Sequence, residues 1–266
     1  MTLMQIFVIF LLLILPISTS LANHNSLNIT PVFYLFDYKE FDETDQLLDK
    51  EHGLMPGLKF GFEHAEDEGT LETHIAFFGG AIDYSGQTQS GTPHQTTTDE
   101  QLFNIGIKIM SREAPDFPFG LFFGFQHWQW DRSIRTKNNV LGLHEIYSWD
   151  EIEAGLRLDS ETSLQALLWL EISALYIFNP SMEIDLDTSK HKLDLGERPG
   201  FRLRTGKTWK ENQRTSYSFN LLVEYWSFER SNTIFVNDFF GYAAFITEPT
   251  SETINTGFEF TFSQEF

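Results

Sequence analysis

The sequence predicts an all-β fold, a transmembrane up-and-down antiparallel β-barrel of about ten strands, with twelve as the alternative count. Three observations predict it. Apolar residues recur at every second position, the links between these segments are by turns long and short, and aromatic residues gather at the segment ends. Period two marks a strand with one apolar face. Tight links on one side and longer ones on the other are the rhythm of a barrel that crosses a membrane.

Composition narrows the function classes. Aromatic residues make up 15% of the chain, 27 of them Phe, yet hydrophobic residues total only 41%, so the chain is aromatic-rich without being strongly apolar. Asp and Glu number 38 against 18 Lys and Arg, and the formal net charge of −20 would repel a phosphate backbone. A general nucleic-acid binder is thereby excluded. The absence of cysteine excludes disulfide scaffolds, thiol enzymes, zinc-thiolate sites and a lipid-modified N-terminal Cys.

Residues Ile6 to Ile17 form an apolar stretch with Pro16 near its end. At about a dozen residues it falls short of the roughly 20 that a spanning helix needs. Ser20 and Ala22 offer the small side chains of a signal-peptidase site, so residues 1–22 are expected to be a cleaved signal peptide. Residues 23–266 are then the barrel domain, beginning at Asn23. Met1 to Gln5 carries no Lys or Arg, a departure from the usual signal.

The alternation then recurs along the chain. Leu58, Phe60 and Phe62 alternate with Lys59, Gly61 and Glu63; Phe103 to Ile109 with Asn104 to Met110; Ile152 to Leu158 with Glu151 to Arg157. Leu164 to Phe178 is the longest apolar run, but its even positions are apolar throughout while Gln165, Glu171 and Ser173 fall on odd ones, which argues strand over helix. Strands are expected near residues 29–41, 57–65, 71–84, 101–111, 119–131, 145–158, 163–177, 191–209, 216–229 and 253–266.

Short links are expected at Glu66–Thr70, Glu113–Pro118, Asp159–Thr162 and Lys210–Thr215. Long ones are expected at Asp42–Pro56, Ser85–Glu100, Arg132–His144, Asn179–Lys190 and Arg230–Ser251. Tyr84, Trp128, Trp130, Tyr147, Trp149, Tyr176, Tyr225 and Trp226 fall toward the long-link ends, and Trp209, Tyr217 and Phe266 toward the short-turn ends. Two interfacial belts are the expected reading, since amphipathic rings concentrate at membrane surfaces.

In the last strand Ile254, Phe258, Phe260, Phe262 and the terminal Phe266 share one parity, and Asn255, Gly257, Glu259 and Thr261 the other. This resembles the C-terminal targeting strand of Gram-negative outer-membrane β-barrel proteins, which ends on an aromatic residue and is read by the barrel-assembly machinery. Gln264, among the outward residues, departs from the pattern. Phe258, Phe260, Phe262 and Phe266 are the assembly signal that the resemblance implies. It further implies export to the outer membrane, contact with outer-membrane lipid and lipopolysaccharide, and a monomer that binds no nucleic acid. The function expected is that of an integral outer-membrane barrel, either structural or a narrow, mostly closed channel. The alternatives are an outer-membrane protease or lipid hydrolase with its site at the external rim, or a surface ligand-binding or adhesion barrel.

The inward parity collects Glu63, Glu72, Glu151, Glu153, Arg157, Glu171, Arg202, Arg204, Glu224 and Glu259, with Lys59, Lys108 and Arg198. A ten-stranded lumen is only slightly wider than side chains can fill, so this set is expected to form an ion-pair network that plugs it. A charged selectivity path is the alternative. Toward the outer rim, Asp83, Asp131, Asp150, His127, His144, His191 and Asp194 invite an enzyme reading. The ten-stranded omptin proteases use acids and a histidine there, but no local motif reproduces an Asp pair facing an Asp–His pair. No catalytic residue is therefore assigned.

His24-Asn25-Ser26 resembles the His-x-Ser of outer-membrane lipid hydrolases but is placed ahead of the first expected strand. Two acidic groups, Asp42, Glu43, Asp45, Asp49, Glu51 and Glu183, Asp185, Asp187, lack the spacing of a calcium loop. No metal and no cofactor is assigned. The longest link carries Ile234, Phe235, Val236, Phe239, Phe240, Tyr242, Phe245 and Ile246, too apolar to stand in water. It is expected to form an extended or capping hairpin rather than two further barrel strands.

Overall fold

A computed structural model describes residues 24–87, 91–111, 119–163, 166–186, 189–237 and 243–266. Thirteen strands run in chain order: β1 (His24–Phe41), β2 (Leu47–Ala65), β3 (Gly69–Gln87), β4 (Pro93–Ser111), β5 (Gly120–Ile134), β6 (His144–Ser163), β7 (Ala166–Leu186), β8 (Ser189–Asp194), β9 (Pro199–Lys210), β10 (Thr215–Phe228), β11 (Ile234–Asn237), β12 (Ala243–Ile246) and β13 (Thr250–Glu265). Among the described residues there is no helix. Chain neighbours pair antiparallel around the sheet, β8 and β9 sharing β7 as the two halves of one stave, and β13 returns to β1. The last pairing runs in register from Ser26↔Glu265 to Phe41↔Thr250. The result is a closed barrel of ten staves, with β8 paired on one side only among the described residues. β11 and β12 pair only with each other.

Alternation decides which side chain meets which medium, because successive Cβ atoms point to opposite faces of a strand. Leu27, Ile29 and Leu35 of β1, Leu54, Leu58 and Phe60 of β2, and Leu121, Phe123 and Phe125 of β5 stand exposed on the outer wall. Together they form an apolar band. Beyond it toward the long-link end the outer wall turns polar, with Asp37 and Lys39 on β1, His52 on β2, and His127, Gln129 and Asp131 on β5. Lys39 and His52 both contact the Asp37 carboxylate there, at 2.8 and 3.3 Å. Opposite parities fill the interior. Glycine appears on that face where a neighbour needs its space: a Cβ at Gly57 would come within 2.2 Å of the Phe78 ring, and one at Gly206 within 2.3 Å of Asn220 Oδ1.

All ten expected strands are present, but the expected long links are too long. β2 starts at Leu47, inside Asp42–Pro56; β3 and β4 reach to Gln87 and back from Pro93, inside Ser85–Glu100; β5 continues to Ile134, and β7 to Leu186. At the other end, β6 absorbs the short link expected at Asp159–Thr162. Above the apolar band both faces of these strands carry polar residues, so the sequence loses its alternation while the backbone ladder continues.

Most of the expected outer belt is also overturned. Tyr84, Trp128, Trp130, Tyr147, Trp149 and Trp226 are buried inside the barrel. Their parity is that of the interior, and their position near the strand ends reflects a filled mouth rather than a lipid surface. Tyr176 stands on the outer wall, and at the short-turn end so do Trp209 and Phe266.

Within the link expected at Arg230–Ser251, β11 and β12 pair with each other apart from the barrel sheet, and Thr250 and Ser251 belong to β13. Val236 is buried and Ile234 and Ile246 pack on the aromatic interior, while Phe235 and Phe245 face away. His24-Asn25-Ser26 lies within β1, at the short-turn end, and not ahead of the first strand. The signal peptide, Asn23, the Glu113–Pro118 link, Gln165, Asp187, Phe239, Phe240 and Tyr242 lie outside the described residues.

Candidate functional site: the barrel interior

Three layers fill the interior, and strand register builds each. In the lower layer, register sets Glu171 of β7 between Arg157 of β6 and Arg204 of β9. The same register sets Arg202 beside Glu224, and Glu72 beside Lys108. These cross-strand neighbours become ion pairs. Glu171 receives Arg157 Nη1 at 3.0 Å, and Lys108 Nζ and Arg204 Nη1 each at 3.3 Å. Arg204 reaches on to Glu259 at 2.6 Å, which Lys59 approaches from the far side at 3.0 Å. Lys108 also contacts Glu72 at 3.0 Å.

Arg202 alone holds three carboxylates, Glu224 at 2.5, Glu153 at 2.8 and Glu151 at 3.0 Å. Neutral donors take up further carboxylate oxygens: Ser173 Oγ donates to Glu153 at 2.6 Å and Asn255 Nδ2 to Glu224 at 3.3 Å. The Trp169 ring lies between the Arg157 and Arg204 guanidinium groups, 4.9 and 5.5 Å from its centroid. Glu63 stands directly across from Glu72 in register. The structure thus brings every inward site residue read from the sequence into one half of the lumen, around a cavity of about 350 Å³. Arg198 is the exception; it pairs with Glu229 near the rim at 3.2 Å.

Above the cavity the second layer is aromatic. Tyr34 stacks on Phe78, Trp128 on Trp149, and Trp130 on Tyr147, with centroids 4.8, 5.7 and 4.6 Å apart. Trp226 meets Trp149 at 5.1 Å, and Tyr38 meets Trp130 edge-on at 5.1 Å. Phe36, Tyr38, Trp130, Tyr147 and Phe228 are all 0% exposed, packed against one another at this level.

The third layer, above the apolar band, was not anticipated. Arg132 contacts Glu145 at 2.7, Glu40 at 2.8, Glu51 at 3.0 and Asp49 at 3.6 Å. Trp130 Nε1 donates to Glu100, Thr98 Oγ1 to Glu51 at 2.9 Å, and Tyr147 OH to Glu248 at 2.6 Å. All six carboxylic residues and Arg132 are buried. One guanidinium cannot neutralise six carboxylates, and a dry site cannot hold the remainder ionised. Burial, with Glu51 next, holds Glu100 well above the usual carboxylate range. Burial and Glu40 do the same for Asp49, and burial with Glu40 and Glu145 for Glu248. Burial opposes the Arg132 charge, but Glu51, Glu145 and Glu40 more than offset it and push the guanidinium up. The sequence reading assigned Asp49 and Glu51 to an acidic loop and Arg132 to a link. Continued parity was the available signal: Asp49 and Glu51 share that of Lys59, and Arg132 that of Trp128 and Trp130.

The rim candidates lie elsewhere. Asp131 and His144 meet at 3.0 Å, and Asp150 and His127 at 2.9 Å, but on the outer wall of β5 and β6. Asp83 and Asp194 are exposed. Of the acidic groups, Asp42 closes a turn by accepting from Thr44 N and Gln46 N at 2.7 and 2.9 Å, Glu43 pairs with Arg230 at 2.5 Å, and Glu183 with Lys190 at 2.6 Å. Among the described residues no three such groups converge as metal ligands.

No protein-family model and no curated protein matches the chain. Solved structures do. The outer membrane protease OmpT from Escherichia coli superposes with a TM-score of 0.59 at 10% identity, over 95% of this chain and 99% of that one. The translocator domain of autotransporter NalP from Neisseria meningitidis gives 0.43 at 8% identity, over 92% and 90%. Neisserial surface protein A gives 0.36 at 8%, over 88% and 95%. The chain has the fold of the Gram-negative outer-membrane β-barrel proteins.

Proposed function

We propose that the chain is an integral outer-membrane barrel that does not conduct and that acts at the cell surface through its projecting outer half. The observation that carries this reading is the closed aromatic layer, whose largest rings have no solvent exposure. The ion-pair network beneath it then serves as a structural plug rather than a selectivity path, a reading supported by the buried rings stacked above it. The apolar wall suits outer-membrane lipid and lipopolysaccharide, the terminal Phe266 suits the barrel-assembly machinery, and the closed sheet suits a monomer. Planar-bilayer recording on purified full-length protein tests this: no steady conductance is expected, and a stable open level would overturn it.

A second reading keeps a rim enzyme. It rests on the two Asp–His pairs of the outer wall, between which Ser148 stands opposite Gln129. Lipase assays on His127→Ala and Ser148→Ala separate it from the first, because a closed structural barrel has no hydrolysis for these variants to abolish.

A further inference from the structure

We propose that the buried acid cluster at the barrel mouth is a proton-held latch, and that raising the external pH releases the β11–β12 hairpin from the mouth. This rests on the surface reading above only for the orientation of the mouth, since the latch itself is a property of the folded chain.

Glu248 is the tooth of the latch. It lies two residues past the end of β12, and its backbone closes the base of the hairpin: Ser231 N donates to Glu248 O at 3.0 Å, and Glu248 N to Ser231 Oγ at 2.8 Å. Its side chain turns into the barrel, where Tyr147 OH is its hydrogen-bond donor. Every strand packed on it brings charge or a phenol. β1 presents Tyr38 and Glu40, β5 presents Arg132, and β6 presents Glu145 and Tyr147. Arg132 is already engaged by Glu40, Glu145 and Glu51, and behind it β2 adds Asp49 and β4 adds Glu100.

Geometry alone shows the shortage of positive charge. Asp49 Oδ1, Glu51 Oε2 and Glu100 Oε1 are buried without a hydrogen-bond donor from the protein, and Arg132 Nη2, itself buried without a hydrogen bond, is one group against these three oxygens. Bound protons supply what donors do not, a carboxylic acid O–H donating to the neighbouring carboxylate. When Glu248 loses its proton, it faces Glu40 and Glu145 as a third anion with no cation free to answer it. The escape open to it is to carry the hairpin base out to water.

The sign follows from linkage. The docked hairpin holds a proton that the released one gives up, so docking weakens as pH rises through the docked value, by up to tenfold per pH unit for each proton released.

The chain has no cysteine, so single substitutions report cleanly. Val236→Cys probes the docked face and Phe235→Cys the exposed one. With a membrane-impermeant methanethiosulfonate on folded protein, the ratio of labelling rates, Val236→Cys over Phe235→Cys, cancels thiol ionisation. That ratio should rise at least tenfold between pH 6 and pH 9, and Glu248→Gln, which stays neutral and still accepts from Tyr147, should flatten it. Hydrogen exchange of the 234–236 amides in the unsubstituted chain, corrected for intrinsic rates, should show the same rise, and covers the case in which a cysteine variant fails to fold. A flat ratio and flat exchange, or a rise that survives Glu248→Gln, overturns the latch. Neither result bears on bilayer conductance, so the latch and the closed-barrel reading fail separately.

Discussion

Arg202 is the most heavily loaded side chain of the lower network, and its removal gives the sharpest test of how that network holds the barrel. Arg202→Gln deletes a guanidinium that three carboxylates share at 2.5, 2.8 and 3.0 Å. Glu151, Glu153 and Glu224 are 1, 6 and 2% exposed, so each depends on Arg202 more than on water. Breaking one buried pair costs about 3–5 kcal/mol, because the partner is left charged and dry. With three partners orphaned at once, the loss should sit at the upper end, about 5 kcal/mol. Urea unfolding of the folded barrel in lipid vesicles, followed by Trp fluorescence and heat-modifiable migration, measures it. Arg202→Gln combined with Glu224→Gln should recover part of the loss, since the double variant removes the carboxylate left closest. A single variant that loses less than about 1 kcal/mol, or a double variant no better than the single, would refute the view that Arg202 holds these three carboxylates in place.

Other outcomes follow from the remaining layers. Trp130→Ala should destabilise the barrel by about 3–5 kcal/mol in the same unfolding assay, the usual effect of emptying a fully packed aromatic site. Deleting Phe266, or replacing it with Asp, should sharply lower outer-membrane levels, as fractionation and heat-modifiable migration would show. N-terminal sequencing of the exported chain should begin at Asn23. Because the folded state holds Asp49, Glu100 and Glu248 above their ordinary range, their contribution to stability is full in acid and declines as pH rises through the raised values. Urea midpoints should therefore fall between pH 6 and pH 10, and a rise over that interval would contradict the assignment.

The ten staves were legible in the sequence because an outward apolar band imposes a strict period of two wherever lipid is expected, as at Leu58, Phe60 and Phe62. The lower network was legible for the same reason, since its members interrupt the apolar run on the opposite parity. Above the band that contrast disappears. Lys50 and His52 point outward while Asp49 and Glu51 point inward, and all four are polar, so nothing in composition separates wall from lumen. The strand extensions and the cluster around Arg132 were missed together. The interior tryptophans failed differently: their place near strand ends suggested an interfacial belt, although the parity of Trp128 and Trp130, opposite to that of Phe123 and Phe125, already put them inside. Parity is fixed by the pleat, whereas the belt is only a tendency, so parity should have decided.

The same two layers of charge obey different conditions. In the lower half Lys59, Lys108, Arg157, Arg202 and Arg204 pair with six glutamate carboxylates, and most of these cations bridge two or more of them. Shared counterions let that network close on itself. In the upper half six carboxylates surround Arg132 alone, so closure there needs protons rather than counterions. The aromatic layer, from Tyr34 and Phe78 to Trp130 and Tyr147, lies between the two. A barrel built this way has a base held by ion pairs and a mouth held by protons. The paired strands β11 and β12, seated through Val236 and tied in by Glu248, rest on the part of the interior where carboxylates outnumber cations.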